Sequence, residues 1–89
     1  LGQGGSMLLT GNTEYNSPTG QVFVSITFLT NSVFGTLTAE DPDLYINTAQ
    51  ATSGGTVVGT ESFPQGVTIY GRWNTIQLSS SNIAIAYTG

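Results

Sequence analysis

Five carboxylates and one cation are all the acidic and basic side chains this 89-residue chain has for chemistry: Glu14, Glu40, Asp41, Asp43, Glu61 and Arg72. It has no His, no Cys and no Lys. A general base working near neutral pH is most often His, or a Lys or Cys with a displaced pKa. A Ser, Thr or Cys nucleophile needs such a base beside it. Zinc and copper sites draw on imidazole or thiolate. What remains is carboxylate, hydroxyl and backbone, and the chain is expected to bind or build, not to catalyse.

Three groupings of these residues merit weighing. Glu40, Asp41 and Asp43 fall within four residues and could offer oxygens to Ca²⁺. The loop glycine and distal Glu of an EF-hand are missing, so a solvated acidic turn is the plainer reading and no cofactor is otherwise expected. Tyr70, Arg72 and Trp73 lie close together, and an aromatic there could stack on a sugar ring or another planar ligand. In a regular strand Tyr70 and Arg72 face away from Trp73, and the competing reading makes Trp73 a core anchor and Arg72 a surface or interface cation. Glu14 and Glu61 are the remaining acids for a glycoside hydrolase pair, and nothing in their spacing supports that.

Net charge and charge density bound the partners. A net charge of −4 with one cation argues against nucleic acid, whose phosphates are neutralised by Lys and Arg, and against anionic membranes. No apolar run reaches the ~20 residues that span a bilayer. Charged residues make up 7% of the chain, against ~25% in ordinary soluble domains. The polar surface must therefore come from Thr, Ser, Asn, Gln and Gly. Thr occurs 14 times, and with Val, Ile, Tyr and Phe this is strand composition. So few charges protect weakly against self-association, which suits a subunit of an assembly.

The elements that must position these residues read as strands. Residues 1–6, LGQGGS, look like a flexible leader, and 7–89 a single domain with a first strand over 7–10. Residues 21–30 alternate strongly, with Val22, Val24, Ile26 and Phe28 on one face. Residues 33–39 alternate again before Glu40–Asp43, where Pro42 stops the ladder. A brief strand is expected at 44–47, a tight turn at Gly54-Gly55, and a short edge strand near 57–63. Pro64-Gln65-Gly66 has type II turn composition with Pro at the first central position. From Val67 to Leu78 the apolar phase changes midway, which calls for a bulge or a corner, expected at Gly71 or at Asn74-Thr75. Residues 82–87 close the chain with Ile83, Ile85 and Tyr87 inward and the alanines outward. No helical period appears. The fold expected is all-β, a small antiparallel sandwich or barrel of jelly-roll-like kind, with Val22, Val24, Ile26, Phe28, Ile69, Trp73, Ile83 and Ile85 in its core. A Pro-x-Gly segment occurs at both Pro18 and Pro64, each preceded by Thr-Glu, and suggests repeated turn chemistry.

Residues 25–39 and 63–89 carry a pattern of their own: F-x-x-L-T at Phe34, Leu37 and Thr38; P-x-G-x-x-I-x-G-x-W at Pro64, Gly66, Ile69, Gly71 and Trp73; then Ile76, Leu78, Ala86 and Tyr87. In these residues the chain resembles small virion structural proteins of tailed bacteriophages. The resemblance implies a place on the virion as a capsid decoration (cement) protein or a head or tail fibre component. It also implies contact with a major capsid or other virion protein, and a symmetric homo-oligomer with a trimer favoured. The shared positions shape turns and core, so no functional residue is carried over. The rival reading is a carbohydrate-binding module, in which Trp73 or Tyr70 stacks on sugar and the acidic loop holds Ca²⁺.

Overall fold

The computed structural model describes residues 5–41, 44–48, 58 and 61–89, and every regular element among them is a strand. These are β1 (Gly5–Thr10), β2 (Glu14–Asn16), β3 (Phe23–Phe28), β4 (Phe34–Ala39), β5 (Thr68–Leu78) and β6 (Ile83–Thr88). They form one antiparallel sheet in the order β1-β6-β3-β5-β2, with β4 also paired to β5. The sheet curls until it is nearly a closed barrel. An all-β fold is what the alternation predicts, and of sandwich and barrel it takes the barrel form.

β5 is the spine. Its first half pairs with β3, and its second half lies between β2 and β4. Two irregularities bend it. Phe23 pairs with Trp73 and Ser25 with Tyr70, so β5 takes three steps where β3 takes two, with Gly71 inside the extra step. Thr38 pairs with Thr75 and Ala39 with Trp73, which leaves Asn74 as an extra residue against β4. A bulge shifts the phase of a strand by one residue, and so Trp73, Ile76 and Leu78 are all buried. Both places where the sequence suggests a change of face carry one.

A third irregularity corrects the expected core. Between Phe23–Thr88 and Ser25–Tyr87, Val24 is the extra residue of β3 against β6. Phe23, Ile26 and Phe28 therefore point inward, and Val24 is only half-buried. In β6 the expected facing is reversed. Ala84 and Ala86 are fully buried, whereas Ile83, Ile85 and Tyr87 are partly exposed. Ala84 stands across from Phe28 and Leu9, and Ala86 across from Ile26 and Met7. With Trp73, Phe23, Phe28, Leu37 and Ile76 already inside, a close-packed interior has room for methyl groups there and no more. Ile69 packs against this core while remaining partly exposed.

The connections differ from expectation in several places. β1 begins at Gly5, two residues before Met7. β2 is only three residues long, too short to leave a period in the sequence. Leu44 and Tyr45 make a turn and not a strand, both amides donating to the Asp41 carbonyl at 3.1 Å. The expected Gly54-Gly55 turn lies outside the described residues, as do 57, 59 and 60 of the expected 57–63 strand; Val58, Glu61 and Ser62 are not in a strand, and Phe63 forms a lone bridge with Ser32. That bridge seats Phe63 parallel to Phe28, centroids 5.1 Å apart, with Phe34 edge-on to both. The two Pro-x-Gly segments do share one turn. The Gln21 amide returns to the Pro18 carbonyl and the Val67 amide to the Pro64 carbonyl, with Gly20 at φ 82° and Gly66 at φ 88°. A positive φ at the second central residue marks type II; each Pro precedes the two central positions instead of occupying the first.

Two glycines are fixed by close approach. A Cβ on Gly11 would lie 1.5 Å from the Ser80 carbonyl oxygen, and one on Gly71 would lie 2.7 Å from the Trp73 ring. Gly71→Ala should destabilise the domain by ~1–3 kcal/mol in urea titrations, as overpacking does. Gly11→Ala should cost more, because backbone cannot swing aside as a ring can. Gly35→Ala meets only ordinary contacts at 3.5 Å or more and should stay within ~0.5 kcal/mol of the parent.

Candidate functional site

Tyr70, Arg72 and Trp73 sit on one strand and reach three different environments. Trp73 is 0% exposed, and its indole N–H donates to the Ile46 carbonyl at 2.8 Å. That bond ties residues 44–48 to the barrel, and the ring has no face left for a ligand. Arg72 turns to the end of β4. Its Nε donates to Glu40 Oε1 at 2.6 Å and an Nη to Oε2 at 3.4 Å, while the Glu40 amide donates to the Arg72 carbonyl. The guanidinium hydrogen bond, more than its charge, holds the Glu40 carboxyl below its ordinary value of 4.5 and holds Arg72 above its own. Tyr70 alone of the three is an exposed aromatic, at 63%.

The acids are dispersed in role. Glu40 is engaged by Arg72, the Asp41 carbonyl accepts two amides of the following turn, and Asp43 lies outside the described residues. Among the described residues no three acidic side chains gather as a group able to hold a metal. Glu14 opens β2 opposite Gln77, and Glu61 is exposed in the segment leading to Phe63.

The feature that strand register does assemble is the outer face of β1, β6, β3 and β5. Residues directly opposite in neighbouring strands share a face. One row runs Ser6–Tyr87–Ser25–Tyr70, the next Leu8–Ile85–Thr27–Thr68, and a third pairs Thr10 with Ile83. None of these residues is charged. The Thr27 and Thr68 hydroxyls share a hydrogen bond of 2.8 Å, which knits β3 to β5 on this side. Leu8 is 57% exposed at the β1 margin. Tyr87 belongs to this face although period alone assigns it to the core. The signal that could have found it is the small size of Ala84 and Ala86, the residues that suit an interior filled by phenylalanines. Chemically the face offers apolar area and hydroxyls, with no acid–base device.

No family model, curated protein or solved structure matches this chain.

The Arg72–Glu40 pair gives a pH dependence of known sign. A carboxylate whose folded pKa is depressed stabilises the fold above its unfolded pKa and loses that contribution as pH falls through the folded value. Both side chains are near half exposure, 47% and 45%, so solvent screens the pair. Glu40→Gln should barely change the urea midpoint at neutral pH and should flatten its decline toward pH ~3. Trp73→Phe should lose more, because it leaves the part-buried Ile46 carbonyl without its donor, a cost of about 1 kcal/mol or more, and this loss should be the same at both pH values.

Proposed function

We propose that this domain is a structural component of a virus particle, a capsid decoration (cement) or head or tail fibre protein that holds its neighbours through protein–protein contacts. The observation that carries the reading is the uncharged outer face of four strands, where Leu8, Ile83, Ile85, Tyr87 and Tyr70 stand among Ser and Thr. Such a face gains by being covered and pays no charge desolvation when it is. The phage-virion resemblance of residues 25–39 and 63–89 gives the assembly its kind. On this reading the protein is non-catalytic, works on the virion, and is used as a homo-oligomer against a capsid or other virion protein.

One observation favours a second reading, carbohydrate binding. Tyr70 and Tyr87 flank Ser25 in one row, which sets them two strand spacings, ~10 Å, apart. With Trp73 buried, these two rings are what a sugar would stack on.

Binding through this face should be nearly independent of salt, since screening acts on charges within a Debye length of ~10 Å at 0.1 M and hardly on apolar contacts. Virus particles purified from the same source, mixed with the domain and pelleted at ~0.05 M and ~0.5 M salt, should retain it saturably and almost equally. No association, or a steep loss with salt, would overturn the proposal. Saturable retention on a glycan array would promote the second reading instead.

A further inference from the structure

We infer that β1 is a pairing edge, and that it pairs with β1 of a second copy of this chain across a twofold axis. The inference deepens the assembly reading by naming one of the partners, and rests on it.

The Ile83 carbonyl accepts from Leu29 and the Ile83 amide donates to the Thr30 hydroxyl. Ile83 therefore directs both backbone groups toward β3 and none toward its β1 partner Thr10. Thr10 in turn points away from β6, and its amide donates to the Tyr15 hydroxyl at 3.4 Å. Backbone direction alternates along an antiparallel strand. Leu8 and Ser6 therefore also point their N–H and C=O groups away from β6, and among the described residues nothing bonds them there. Gly5, Met7 and Leu9 make the ladder to β6.

Natural sheets protect such an edge with charge, proline, a bulge or a covering segment. β1 reads GSMLLT and pairs with β6 without a register shift. It carries no charge and no proline, and its Leu8 is the most exposed aliphatic side chain of the outer face. A second copy fits this edge for two reasons. An antiparallel pair centred on Met7 sets Ser6 of one copy against Leu8 of the other and satisfies the unbonded groups of both at once. It leaves the Thr10–Tyr15 bond intact. Two chains of net charge −4 repel when brought together, and this margin lets them meet with no acid in the contact. The outer faces then become one continuous surface across the axis, with the two Leu8 side chains as diagonal neighbours.

Sedimentation equilibrium of the parent and variants tests this. Leu8→Pro removes only an amide that points away from β6, so the barrel ladder is untouched. Leu8→Lys leaves the amide and places a charge on the edge. The parent should be a dimer at micromolar concentration. Each variant should shift the dissociation constant at least tenfold toward monomer, with an unchanged circular dichroism spectrum and buried-Trp73 emission. Tyr70→Lys, on the same face but away from the edge, should remain dimeric. If Leu8→Pro fails to fold, Leu8→Lys decides. A monomeric parent, or dimers that survive both Leu8 changes, would overturn the inference. So would dissociation by Tyr70→Lys alone, which would mean face-to-face stacking. A monomeric parent that still pellets with virus particles would sink the pairing and leave the assembly reading standing. A Leu8-dependent dimer that ignores particles and glycans would do the reverse.

Discussion

The indole of Trp73 lies so close over Gly71 that a single methyl group there would meet the ring at 2.7 Å, and much of the barrel is arranged around that contact. The ring is the largest buried side chain among the described residues. Its N–H fixes the Ile46 carbonyl, and with it the turn that follows the acidic segment. The bulge at Asn74 then lets Ile76 and Leu78 return to the side Trp73 already occupies. Without that extra residue a period-2 strand would send Ile76 and Leu78 outward.

Filling the interior from β3 and β5 decides what the remaining strands can contribute. β6 faces Phe28 and Ile26 across one neighbour and Leu9 and Met7 across the other, and so it presents alanines inward. Its larger residues go outside. Their partners on β1, β3 and β5 are Leu, Ser and Thr, with Tyr70 beyond. The uncharged outer face is thus a by-product of how tightly the inside is packed. In a chain with this composition there are too few charges to cover it.

The charged groups are used locally. Arg72 and Glu40 close the end of β4 onto β5 with two side-chain hydrogen bonds and one backbone bond. The pair secures the turn toward Asp41 and leaves the chain with no cation to spare. With the one Arg engaged, a contact built on several ion pairs is not open to this chain.

Much was already legible in the chain. The absence of His, Cys and Lys is a property of composition, and it alone directs attention away from catalysis. The all-β class, the bulges in β5 and the two matching Pro-x-Gly turns follow from local rules: alternation, a phase change that only an extra residue can absorb, and a positive φ that glycine supplies. Which face of a strand is inside is not local when both faces are apolar. Val24 and Tyr87 were undecidable by period, because one register shift or one crowded neighbour reverses them. The Arg72–Glu40 pair joins residues 32 positions apart, and the Trp73–Ile46 bond joins residues 27 apart, distances over which no motif reaches. The outer face and the open edge of β1 exist only once β1 lies beside β6 and β6 beside β3, so tertiary pairing alone could assemble them.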